Sequence, residues 1–144
     1  MIAIDTNVLL RYLLQDDESQ SKQADQLING QAQVLITDVV LTETLWTLKG
    51  KKYKASKEDI LNVLDTLFKE RNIVFEDGPT IWRAMNDYRL SEKVKVGSKK
   101  KDADFADVLI INKSRQVITQ KNSQFEGLYT FDLAAQQITG AKAP

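Results

Sequence analysis

The stretch whose reading decides the fold is the opening one, MIAIDTNVLLRYLL (residues 1–14). Ile2 and Ile4 fit a short buried strand, whereas Val8, Leu9, Leu10, Leu13 and Leu14 recur at helical spacing. Asp5 stands at the joint. Either it caps the helix, its side-chain oxygen accepting an orphan backbone N–H, or it is a functional carboxylate at the carboxyl end of a strand, where open α/β sheets bind their ligands. These residues alone leave both readings open.

The strand-then-helix unit recurs along the chain. After a polar break at residues 15–20, helical spacing returns over about 18–29 and stops at Asn29-Gly30. Residues 33–37 (QVLIT) have the length of a buried strand, and Thr37 or Asp38 starts a helix that runs to about Lys49 before Gly50. Ser56 opens SKED, the capping-box spacing, ahead of Ile60, Val63, Leu64, Leu67 and Phe68. A strand is expected at 73–75, a helix after Asp77-Gly78-Pro79, and a loop over KVKVGSKKK (93–101). Asp102 to about Ser114 reads as helix, residues 116–119 fit helix or loop, LYTF (128–131) is a last strand, and Asp132 opens a final helix. Short apolar strands alternating with helices predict an α/β fold around a mainly parallel sheet. The length, 144 residues, fits one domain spanning 1–144.

Composition narrows the chemistry. The chain has no His and no Cys, so a Cys/His zinc site, a Cys nucleophile and a His general base are excluded. Any metal must be held mainly by oxygen, which favours Mg2+ or Mn2+. Formal net charge is zero, yet the lysines cluster: Lys49, Lys51, Lys52, Lys54 and Lys57 in one group, Lys93, Lys95, Lys99, Lys100 and Lys101 in another. Each cluster alone reads equally as a solvated loop. No apolar run approaches the roughly 20 residues of a membrane span, and a basic segment leading an apolar one is missing at the N-terminus. The expectation is a cytoplasmic protein with no membrane partner.

Several acids sit where acids are costly. Glu43 falls between Val39 and Trp46 on a helix that is apolar around most of its circumference; such a helix is expected to be buried, and its carboxylate to need neutralising. Asp104 and Asp107, three apart, share a helix face. Asp132 repeats the arrangement of Asp5 at a strand-to-helix joint. In one parallel sheet all strands end on the same side, so Asp5 and Asp132 can share an edge. Hard-oxygen ligands of this kind suit one or two Mg2+ or Mn2+ ions, which activate water and neutralise charge in phosphoryl displacement.

In order, IDTNVLLRYL, the single acid of VVLTETLW, DFADVLI and YTFD resemble the PIN domain, and more narrowly the VapC-type toxins of toxin–antitoxin pairs. The resemblance runs from Ile4 to about Asp132. It implies a three-layer fold with a central, mainly parallel sheet flanked by helices. It also implies a metal-dependent endoribonuclease, often a homodimer, that cleaves RNA and is inhibited by a cognate antitoxin protein. Carried over by position, the catalytic metal ligands are Asp5, Glu43, Asp107 and Asp132, with Asp104 as a further metal-binding acid. Thr6 and Asn7 would orient Asp5 or a bound water, with Thr130 a further supporting residue behind the ligands, and Arg11, Lys99, Lys100 and Lys101 would contact RNA. The chain departs from the family after DVLI, where Ile111-Asn112-Lys113-Ser114-Arg115-Gln116 replaces small residues.

Four rivals stand beside this reading. A phosphohydrolase with an Asp nucleophile needs a second acid two residues on, where this chain has Asn7, and a phosphoacceptor receiver domain needs paired acids at the first strand end. A PIN-type fold could also serve RNA processing rather than a toxin role, or act only as a binding module.

Overall fold

The computed structural model describes all residues, 1–144, which form two compact units, Met1–Gly78 and Pro79–Pro144. The first is built on a three-stranded parallel sheet of β1 (Ile2–Ala3), β2 (Val34–Ile36) and β3 (Ile73–Phe75), in the order β1-β2-β3. Ile2 is in register with Val34, and Val34 with Ile73. Parallel neighbours need long crossovers, usually helical. Two helices supply each one: α1 (Thr6–Leu14) and α2 (Glu18–Ile28) between β1 and β2, then α3 (Asp38–Lys49) and α4 (Lys57–Lys69) between β2 and β3.

Local chemistry sets the helix starts. Asp5 Oδ1 accepts from the Val8 amide at 2.9 Å, and Asp17 Oδ1 from Gln20 at 2.8 Å. Thr37 Oγ1 accepts from Val40. The SKED spacing forms the expected reciprocal cap: the Asp59 amide donates to Ser56 Oγ at 3.1 Å, and the Ser56 amide to Asp59 Oδ2 at 2.8 Å. The core of this unit is made by Ile4, Leu9, Ile28, Val34, Ile36, Leu41, Leu45, Ile60, Leu64 and Leu67, all buried.

The second unit carries α5 (Gly78–Leu90), whose first residue closes the first unit, and α6 (Phe105–Gln120). Tyr88 and Phe105 meet edge-on with ring centroids 5.7 Å apart, among buried Ile81, Met85, Val108 and Ile111. Helix α6 runs through the segment that sequence left undecided. The larger residues after DVLI have specific partners: Asn112 is buried and donates to Asp87 Oδ2 at 2.9 Å and to the Val108 carbonyl at 3.0 Å. Gln116 accepts from Arg83, and Arg115 donates to the Thr139 carbonyl at 3.1 Å.

Two expectations are corrected. KVKVGSKKK is a hairpin, not a loop: β4 (Val94–Val96) pairs antiparallel with β5 (Lys99–Lys101) around Gly97-Ser98, with Gly97 at φ 64 as two-residue hairpin turns require. The lysines hid a two-residue alternation at Val94 and Val96. The helix expected after Asp132 shrinks to a 3-10 turn, Ala135–Gln137. Here β6 (Leu128–Tyr129) pairs in parallel with β7 (Ala141–Lys142), and the 3-10 turn lies in the connection between them, residues 130–140. Because β6 and β7 form their own two-stranded sheet, sheet order does not put Asp132 on the edge of the sheet that begins with β1.

Leu64→Ala should cost about 2–5 kcal/mol by emptying a fully buried site. Ser56→Ala should cost only about 1 kcal/mol, the worth of a cap; urea denaturation of the two variants measures both, and equal losses would refute this division.

Candidate active site

In the first unit the three parallel strands end on one edge, and an acid follows each: Asp5 after β1, Asp38 after β2, Glu76 after β3. Asp5 is exposed, with Oδ1 committed to the Val8 amide. The cap reading is therefore correct, and it leaves Oδ2 outside the cap. Thr6, the next residue, donates its hydroxyl to Glu43 Oε2 at 2.8 Å, linking the start of α1 to the middle of α3. Thr6 thus orients Glu43 rather than Asp5. Glu76 was not singled out from the sequence; its Oε2 accepts from the Asp38 amide at 2.8 Å. An acid directly behind a predicted strand was the available signal.

Glu43 does not lie in a buried stripe. Val39 is 74% and Trp46 66% exposed, and Glu43 between them is exposed too. Helix α3 buries the opposite side, Leu41, Thr44, Leu45 and Leu48. Periodicity showed that Val39, Glu43 and Trp46 share a face, but with so many apolar residues it could not show which face points inward. Asn7 is exposed, and Arg11 is engaged by Asp16 at 2.7 Å and by Gln20 at 2.8 Å.

The second unit brings its candidates together. The Asp104 amide at the start of α6 donates to Asp107 Oδ2 at 3.0 Å. Asp132 Oδ1 accepts from the Ala134 and Ala135 amides at 2.9 and 3.0 Å, and its other oxygen takes Lys101 Nζ at 2.8 Å. Thr130 Oγ1 accepts from the Asp132 amide at 3.1 Å, so Thr130 positions that acid through the backbone. Lys101 therefore binds an acid within its own unit, a partnership the sequence did not reveal; Lys99 and Lys100 are exposed on β5.

The charges interact. Lys101 and the two backbone amides hold the Asp132 carboxyl below its ordinary pKa. Burial raises Asp107, and the negative charges of Asp132 and Asp104 add to the shift. The Lys101 ammonium is raised, chiefly by Asp132. All donors are oxygens, the chemistry that hard divalent ions prefer. Nowhere do three acidic side chains close on one point as the ligands of a single ion would. The donor set fits such a metal in kind, through Asp5 and Glu43 in the first unit and Asp104, Asp107 and Asp132 in the second.

The fold is a parallel-sheet α/β arrangement with acids at strand ends and helix starts, and the family comparison says which class of such folds it is. The model of the PIN domain matches residues 2–122, and the chain belongs to that family, a family of nucleases. The match covers Asp5, Glu43, Asp104 and Asp107, and Asp132 lies beyond it. No curated protein matches the chain. No helix is long and apolar enough to cross a membrane.

Two opposite pH dependences follow for the metal-free protein. Asp132, depressed by Lys101, stabilises the fold above the ordinary carboxylate pKa, and that contribution is lost as pH falls through its depressed value. Asp107, raised, favours the folded state when protonated, so its ionisation costs stability as pH rises through its raised value. Asp107→Asn should therefore be at least as stable as wild type at neutral pH in EDTA. Lys101→Met should raise both carboxyl pKa values. Carboxyl-carbon NMR titration reads the shifts; an unmoved Asp132 in the Lys101 variant would refute the pairing.

Proposed function

We propose that the chain is a Mg2+- or Mn2+-dependent endoribonuclease that cuts single-stranded or looped RNA, and that it acts in the cytoplasm as the toxin of a toxin–antitoxin pair. Membership of a nuclease family supports the reaction class; the resemblance of IDTNVLLRYL, ETLW, DFADVLI and YTFD to VapC-type toxins supports the biological role. On this reading a cognate antitoxin and a second copy of the chain are its protein partners.

One observation carries the proposal. In the second unit Asp132 pairs with Lys101 at 2.8 Å, the charges of Asp107 and Asp104 act on the same ammonium, and burial, with its acidic neighbours adding, raises Asp107. When all four groups are ionised their charges sum to −2, three carboxylates against one lysine. A divalent cation matches that deficit, and when bound it supplies an acidified water and neutralises charge on a phosphodiester under attack.

The residues then divide the work. Asp104, Asp107 and Asp132 would serve as metal ligands in the second unit, and Asp5 and Glu43 in the first. Thr6 fixes the Glu43 carboxylate through a 2.8 Å hydrogen bond. Thr130 fixes Asp132. Asn7 and Arg11 stand on the helix that Asp5 caps, and Lys99, Lys100 and Lys101 offer positive charge to the RNA backbone. Ammonium groups beside acids offset the repulsion between carboxylates and phosphates and make affinity depend on salt.

Asp5→Asn and Asp107→Asn should each lower Mg2+- or Mn2+-supported cleavage of a looped RNA by about 10²-fold or more, the scale of losing a charge-stabilising group. Undiminished cleavage by Asp5→Asn would overturn the assignment. Thr6→Val should lose roughly 10–100-fold, as when a group orienting a metal ligand is removed. Saturating Mn2+ should raise the melting temperature of wild type and not that of the Asp107 variant. Expression should arrest growth, and where a small reading frame adjoins the gene its co-expression should relieve the arrest. Cleavage without toxicity would favour an RNA-processing role.

A further inference from the structure

The first lysine cluster is not used by the site described above. Residues 44–57, TLWTLKGKKYKASK, hold five lysines and no acid in a chain of zero net charge. The next acids, Glu58 and Asp59, open α4, and Asp59 is engaged in the Ser56 cap. Lys51, Lys52 and Lys54 are exposed. The loop that carries them is pinned to the end of α3: the Lys54 amide donates to the Gly50 carbonyl at 2.9 Å, and the Ala55 amide to the Leu48 carbonyl at 2.8 Å.

Lys54 has φ 52, in the left-handed region. Glycine or asparagine adopts that conformation more cheaply than lysine. An ordered backbone outlier bearing a charged, exposed side chain is a pointer to function. One turn before the end of α3 stands Trp46, 66% exposed, and one turn before that stands Glu43. A single exposed indole means little by itself. Here it lies between a candidate catalytic acid and a fixed basic loop.

We infer that the second half of α3 and the loop after it form a track for single-stranded RNA leading away from Glu43, with Trp46 stacking on an unpaired base and Lys51, Lys52 and Lys54 on phosphates. The inference rests on the ribonuclease reading for its substrate, and on this unit alone for its geometry. Lys51, Lys52 and Lys54 are exposed and complement a polyanion, Lys52 from above the Tyr53 ring and within the field of Asp16. An exposed indole complements an unpaired base, whose faces a duplex would conceal. A purely apolar protein partner would use Trp46 and Val39 but would gain nothing from the lysines.

The test is fluorescence anisotropy of a labelled 12-nucleotide single-stranded RNA in EDTA, where turnover is blocked, over a series of KCl concentrations. A variant combining Lys51→Ala, Lys52→Ala and Lys54→Gly should lower the slope of log affinity against log salt by about 2, at roughly 0.7 per phosphate contact on a single strand. Trp46→Ala should weaken binding about tenfold, and Trp46→Phe should restore most of it. Lys54→Gly alone should fold at least as stably as wild type in urea while losing affinity, which separates presentation of the lysine from folding. Unchanged affinity in both the combined variant and Trp46→Ala would overturn the track and leave this face to a protein partner. Cleavage is read separately with Mg2+ on wild type. Loss of binding in the variants without wild-type cleavage would sink the nuclease reading and keep the track; cleavage with unaffected binding would do the reverse.

Discussion

The constraint on which the rest depends is that helix starts must satisfy orphan backbone amides, and this chain gives that duty to acids that are also its candidate ligands. Asp5 takes the Val8 amide, Asp107 the Asp104 amide, and Asp132 the amides of Ala134 and Ala135. A carboxylate has two oxygens and about four acceptor sites. Spending some of them on the backbone fixes the side chain without exhausting it. Capping thus leaves these carboxylates able to take a further partner. For Asp5 the cap holds the carboxylate at the carboxyl end of the strand and does not exclude a ligand role.

Electrostatics then sets like acids apart. Asp132 and Asp107 interact with each other and with Lys101, yet they shift in opposite directions. Asp132 has the short ion pair and the two amides, whereas Asp107 has burial and acidic neighbours. Removal from water disfavours a charge unless something nearby compensates it. Lys101 compensates mainly one acid of the two. It also sits on β5, the second strand of a hairpin that the sequence concealed among lysines.

Much of the fold was legible because it rests on short-range rules. The cap at Ser56, the helix from Asp38 to Lys49, and the strands at 34–36 and 73–75 all follow from spacing and capping residues. The acids Asp5, Glu43, Asp104, Asp107 and Asp132 were legible as well, though what surrounds them was not. Glu43 was expected inside an apolar stripe, and the stripe is solvent-facing, because a helix apolar on most sides does not announce its inward face. The link between Thr6 and Glu43 spans 37 residues, and the one between Lys101 and Asp132 spans 31. Such pairs are products of tertiary packing, and no local pattern encodes them. The shortened final helix sits in the connection between β6 and β7, whose pairing is likewise a product of tertiary packing.

The segment after DVLI carries links of the same kind. Arg115 Nη2 donates to the Thr139 carbonyl, and its guanidinium lies 5.1 Å from the centre of the Phe125 ring. A β-carbon on Gly140, at φ 99, would come within 2.6 Å of that Nη2 and 3.1 Å of Phe125. Arginine, aromatic ring and glycine thus lock the segment after Asp132 against α6, the helix that carries Asp107. Asn112 anchors the same helix to Asp87 on α5. Smaller residues at 111–116 would remove these anchors. Arg115 and Asn112 thus tie α6 to the segment after Asp132 and to α5, which helps hold Asp107 and Asp132 in the same field.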